Sequence, residues 1–171
     1  SFAEEKRTGT IEILMTKPLS DFQIILAKYF AGVTLVLLSL LPTLIFYYSV
    51  TELGDPIGNI DHASTWGAYI GLFLLGAVFV AIGIFASSIT SNQVIAFMIA
   101  LLLCFTVYIG FQFLAAIFSA PFDLIFMNLG IHEHYLSVQR GVIDSRDIIY
   151  YFSAISLFLL LTKLALQTRK W

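Results

Sequence analysis

The sequence predicts an all-α, polytopic bundle of membrane helices, and two observations carry that reading. Hydrophobic residues make up 59% of the chain and charged residues 12%, whereas a soluble domain carries about 25% charged residues. The apolar residues also gather into four runs, 30–50, 66–86, 94–117 and 148–166, each close to the roughly 20 residues that a helix needs to cross the hydrocarbon core. A β-barrel would show segments of about ten residues alternating apolar and polar. These runs are apolar on every side, as lipid-embedded helices are. With flanking turns included, the spans are expected at about residues 24–50, 66–86, 92–117 and 147–167, and the chain divides into an opening segment, 1–20, and a transmembrane domain, 21–171.

In the opening segment Ile11, Leu14 and Met15 recur at i, i+3 and i+4 and share one helical face, with Glu12 and Thr16 on the other. Thr10 suits the N-cap, Glu12 the first turn, and Pro18 ends the helix. So short a helix is marginal in water and needs something to pack against. Ser20-Asp21-Phe22-Gln23 then fits a capping box that starts a new helix running into the first span. That helix is longer than the bilayer requires, so its first turns, with Lys28 and Tyr29, belong at the interface. Pro42 is expected to kink its far half.

The second span is rich in small residues. Gly67 and Gly71 stand at GxxxG spacing with Ala77 and Ala81 near that face, while Gly76, Gly83 and Ser87 lie on roughly the opposite one, so both faces suit close packing. Thr90-Ser91-Asn92-Gln93 reads as a second capping box after a tight, uncharged turn into the third span. Residues 118–131 are apolar but broken by Pro121, Asp123 and Gly130, too short to span, and are expected to be re-entrant or interfacial. Residues 132–140 read as a short helix stopped by Gly141, and Asp144 as the cap of the fourth span.

Orientation follows from the basic residues. Lys6, Arg7, Lys17 and Lys28 precede or open the first span, Arg169 and Lys170 follow the fourth, and the loops after the first and third spans hold only Arg140 and Arg146. The positive-inside rule puts both chain ends in the cytoplasm and both loops outside. Phe46, Tyr47, Tyr48, Trp66, Tyr69, Tyr150 and Tyr151 fit an outer aromatic belt, and Trp171 an inner anchor. Ser1 stands where Met would, with no signal peptide, so N-terminal sequence is expected to be missing.

Motifs for chemistry are absent from the sequence: no GxxxxGK[ST], no HExxH and no Gly-x-Ser-x-Gly. No enzyme, cofactor or metal site is therefore expected in this chain. His132-Glu133-His134, with His62 on another loop, reads as solvated loop residues, because two histidines at i, i+2 do not share a helical face. Cys104 is a lone, apolar filler. Thr34, Ser39, Gln112, Ser153 and Ser156 are polar residues within spans, suited to interhelical hydrogen bonds or to lining a path. None is ionisable, which argues against an autonomous ion-coupled carrier. No basic stripe with interleaved aromatics exists, so no nucleic acid is expected.

What remains is a membrane body with no energy source and a cytoplasmic segment that wants a partner. The run Glu4-Glu5-Lys6-Arg7-Thr8-Gly9-Thr10-Ile11-Glu12-Ile13-Leu14-Met15-Thr16-Lys17-Pro18 resembles the E-x-x-x-G-T-x-E-x-L-x-x-x-P segment of ABC-2 type permeases. The likeness extends through residues 67–88, the loop 140–147 and the terminal Arg169-Lys170-Trp171 to the gliding-motility permeases of the GldF kind and their copper-processing, NosY-like relatives. Family members have six spanning helices, so the resemblance implies that the first two are missing here. It implies too that Glu4, Glu5, Gly9, Thr10, Glu12, Leu14 and Pro18 belong to a coupling helix that sits in a groove of a separate ATPase subunit, which would hold ATP and Mg. The expected function is thus the non-catalytic permease subunit of an ATP-driven exporter in a bacterial inner membrane, linked to gliding motility and paired with an identical or related second half. The alternative is a scaffold or force-transmitting anchor that moves no substrate. From the residue pattern alone, an interfacial helix lying on the inner leaflet remains open for the opening segment.

Overall fold

The computed structural model describes residues 1–10, 19–118 and 122–168. Among these residues every regular element is helical, and four stretches are long and apolar enough to cross a membrane: Asp21–Leu53, His62–Ile89, Gln93–Ile117 and Ser145–Gln167. Glu12, Leu14 and Pro18, with the rest of the expected amphipathic helix, lie outside the described residues, as do Pro121 and the terminal Arg169, Lys170 and Trp171.

The chain opens with α1, Phe2–Thr8, whose charged sequence carries no apolar period. The Ser1 hydroxyl accepts the Glu4 N–H at 3.4 Å, and Gly9 ends the helix at φ 74°, a left-handed conformation that favours glycine. Seven residues do not sustain a helix in water. Burial of Phe2 and Ala3 against the bundle holds this one.

The first span is α2 (Asp21–Leu40), a 3-10 turn (Leu41–Thr43) and α3 (Leu44–Leu53). It begins with the expected capping box: the Gln23 N–H donates to the Ser20 hydroxyl at 3.3 Å and the Ser20 N–H to Gln23 Oε1 at 2.9 Å. Pro42 has no N–H to give, and there the helix tightens into the 3-10 turn before resuming.

The second span, α4 (His62–Ile89), is the centre of the bundle, with Ala77, Val78, Ala81, Ile82 and Ala86 buried. Apolar surface gains little by moving from lipid to protein, so close van der Waals fit is what binds such helices. Here glycine supplies it in a reciprocal pair. A Cβ on Gly76 would stand 2.7 Å from a Val36 methyl of α2, and a Cβ on Gly32 of α2 would stand 2.6 Å from a Val80 methyl of α4.

At the turn into α5 (Gln93–Phe105) the expected capping box is corrected: Asn92, not Thr90, caps the helix. Its carboxamide oxygen accepts the Val94 N–H at 2.9 Å and the Ile95 N–H at 3.4 Å, while the Thr90 hydroxyl accepts the Asn92 N–H at 3.1 Å. The short Asn92 side chain, on extended backbone, reaches the first free amides before Thr90 can. The third span continues through a π turn (Thr106–Gly110) into α6 (Phe111–Ile117). Phe97, Met98, Leu101, Leu102 and Phe105 all face outward, so this span rides on the edge of the bundle.

The stretch expected to be re-entrant or interfacial contains α7 (Phe122–Leu129), which folds back on α6 with the Phe118 and Phe126 rings 5.2 Å apart. Next, α8 (Ile131–Gln139) buries Ile131 and Val138 and lies against α4. Gly141, at φ 80°, turns the chain, and Asp144 caps α9 (Ser145–Gln167) by accepting the Arg146 N–H at 2.9 Å. The buried stripe Tyr151, Ile155, Leu159, Thr162 and Leu166 of α9 follows one helical face.

Candidate functional site

At one end of the bundle α1 is fastened across the starts and ends of the first two spans. The Lys28 ammonium of α2 pairs with Glu5 Oε1 and stands 5.0 Å from the centre of the Phe2 ring, a cation–π contact. The Lys6 ammonium donates to the Ser88 carbonyl in the last turn of α4. These fastenings place Glu5 inward, half-buried, and leave Glu4 and Arg7 exposed. Gly9 and Thr10 are exposed, and the Thr10 hydroxyl meets that of Thr8 at 2.9 Å. The stretch from Gly9 to the Ser20 cap thus begins at a pinned helix and ends at a capped one. Phe2, Glu5 and Lys6 as fasteners escaped the sequence reading, because their partners lie far along the chain.

Of the packing glycines, Gly67 meets the carbonyl of Val138 and the backbone of Gly141, which a Cβ would approach to 2.3 and 2.8 Å. Gly71 lies under the Tyr135 ring, 3.3 Å from where its Cβ would be, and Gly76 takes Val36. Around Gly83 there is open space within 4 Å.

The five candidate path residues are not joined to one another by any hydrogen bond among the described residues. Thr34, Ser39 and Ser153 donate to the carbonyls of Phe30, Leu35 and Tyr150 at 2.8, 2.8 and 2.7 Å, within their own helices. These three and Ser156 are exposed on the outside of the bundle. Gln112, in α6, approaches Glu133 at 3.5 Å. A groove between the first two spans, lined by Leu37, Leu41, Trp66, Tyr69 and Phe73, is apolar.

The far end holds a polar cluster, which overturns the reading of His132-Glu133-His134 as solvated loop residues. All three are partly buried on α8. His134 Nδ1 lies 2.7 Å from Asp147 Oδ1, and the His132 ring meets Tyr108 edge-on at 5.2 Å. Burial holds the Tyr135 phenol above its ordinary pKa, with the neighbouring Tyr108 adding to the shift. Asp147, placed by the sequence at the boundary between the loop and the fourth span, sits in the first turn of α9 at 5% exposure. The π turn is what brings Tyr108 over α8, and no local sequence signal announces it. No cluster of three metal-ligating side chains occurs among the described residues.

No curated protein and no solved structure matches the chain. One family does, described as ABC-2 family transporter protein, and the match covers residues 1–168, nearly the whole length. A multi-pass helical body, an opening segment pinned across two helix ends and a match of that extent agree: the chain belongs to the ABC-2 family of transporter membrane proteins.

Proposed function

We propose that this chain couples ATP hydrolysis by a separate cytoplasmic ATPase subunit to export across a bacterial inner membrane, with residues 4–18 as the docking segment. ABC-2 permeases are non-catalytic membrane components that generally pair with ATPase subunits. The observation that carries the reading is the fastening of α1: Glu5 to Lys28 and Lys6 to the Ser88 carbonyl tie the opening segment to the first two spans at once. A push that reaches α1 is therefore passed to α2 and α4 together.

Charge supports the orientation. Lys6 and Arg7 of α1 lie with Lys28 at the fastened end, and Arg140 at the end of α8 and Arg146 in the first turn of α9 lie at the other, so the fastened end is the cytoplasmic one by the positive-inside rule. Among the described residues Thr34, Ser39, Ser153 and Ser156 face outward, which supports a second permease half as the other wall. The resemblance of the whole chain to gliding-motility permeases supports a place in that machinery. Replacing Glu12 by Lys is expected to abolish co-purification of the ATPase subunit without altering membrane insertion. Unchanged co-purification contradicts the docking role, and hydrolysis with no transported substrate favours a force-transmitting anchor.

A further inference from the structure

We propose that His134 is a proton-binding site that latches the α7–α8 hairpin to the start of the fourth span, and that loss of one proton releases it. This goes beyond the coupling role above and does not depend on it. Three elements meet at the ring. Nδ1 faces Asp147 Oδ1 of α9 at 2.7 Å, and Nε2 faces the Asn128 carbonyl oxygen of α7 at 3.0 Å.

A carbonyl oxygen only accepts, and so does an ionised carboxylate. A neutral imidazole has one N–H and satisfies one of the two, whereas the imidazolium donates to both. If the second proton sits on Asp147 instead, its O–H donates to Nδ1 and the remaining N–H to Asn128, so the count is unchanged. The pair needs two exchangeable protons between them. With one fewer, a lone pair of the ring faces an oxygen lone pair and one of the three elements is let go.

The surroundings make that loss costly. Asp147 is 5% exposed, its Oδ2 has no partner among the described residues, and the imidazole is the one basic group paired with it there. A buried carboxylate deprived of its cation is strongly destabilising. The other titratable groups around the site are phenols of α9 and the third span and, on α8 itself, His132 and Glu133. Tyr150 stacks on the ring at 4.0 Å and donates its O–H to the Leu129 carbonyl at 2.5 Å, and Tyr151, fully buried, lies one turn beyond Asp147. From the third span Tyr108 faces His132 and Tyr135, and Gln112 approaches Glu133. On the α4 side Gly67, Gly71 and Ser64, whose hydroxyl donates to the Gln139 carbonyl at 3.1 Å, bring no charge.

The test uses the full-length protein in lipid nanodiscs. Amide hydrogen exchange of residues 122–139, corrected for the intrinsic rate, is expected to rise about tenfold between pH 5.5 and 8.5, the range in which histidine ordinarily titrates. Tenfold is the order of protection that one charge-assisted hydrogen bond confers. Exchange in the middle of α4 should not change. In H134Q the hairpin should exchange fast at both pH values. Imidazole nitrogen resonances of the wild-type protein give a second reading that needs no variant: the His134 signals should shift with the same midpoint as the exchange. Protection of the hairpin that is independent of pH, an equal rise in H134Q, or His134 resonances that do not move with pH overturns the proposal.

Discussion

Replacing Gly67 by alanine sets one methyl group against backbone rather than side chain. The new Cβ would stand 2.3 Å from the Val138 carbonyl oxygen and 2.8 Å from Gly141 Cα and N, where ordinary contact begins near 3.4 Å. The start of α4 and the end of α8 must therefore separate by about 1 Å, a gap that forfeits a quarter to a half of each van der Waals contact it opens. Overpacking costs about 1–3 kcal/mol, and with backbone on the far side the upper end applies, about 3 kcal/mol or roughly a hundredfold in the unfolding equilibrium. Gly83→Ala is the control. Open space surrounds its Cβ, and alanine is the better helix former by about 1 kcal/mol. Equilibrium unfolding in mixed SDS micelles, followed by helical circular dichroism, should separate the two variants by about 3 kcal/mol, since both gain the same helix propensity. A Gly67→Ala variant within 0.5 kcal/mol of wild type, or a Gly83→Ala variant equally damaged, would refute the reasoning, since the close approach of α8 to α4 would then be absent.

Two further outcomes follow from the same contacts. Gly32→Ala should cost only about 1 kcal/mol, because its obstacle is a Val80 methyl, and Val80→Ala in the same chain should recover most of it, read as coupling in a double-mutant cycle. Glu5→Gln or Lys28→Met should loosen α1 and speed trypsin cleavage after the exposed Arg7 several-fold, while the exchanged pair E5K/K28E returns the rate toward wild type; equal rates in all four proteins contradict the fastening.

Local signals were the legible part. The four spans follow from hydropathy and length, and the Ser20 box, the Pro42 disturbance and the Asp144 cap each depend on residues within four positions. The GxxxG face of Gly67 and Gly71 was readable as a close-packing surface, although the sequence does not name α8 as its occupant. What escaped depends on pairing at a distance. Glu5 and Lys28 are 23 positions apart, Lys6 and Ser88 are 82, and His134 and Asp147 are 13. Composition made Asp147 and the histidines look solvated because polar residues in a loop usually are. Only the return of α8 against α4 and α9 buries them. Gly32 was overlooked because it has no small partner at i+4, its fit being made by Val80 across the interface. The seven-residue α1 has the charge density of a loop and becomes a helix because Phe2 finds the core.

The most direct test of the central claim is photo-crosslinking in native membranes, with a photoreactive amino acid at Glu12 and, as control, at Glu52 in the last turn of α3, at the far end of the first span. Mass spectrometry of the products should find an ATPase subunit carrying a GxxxxGK[ST] loop attached at position 12 and none at position 52. If position 12 crosslinks only to lipid or to this chain itself, the opening segment is an interfacial anchor and the coupling account is contradicted.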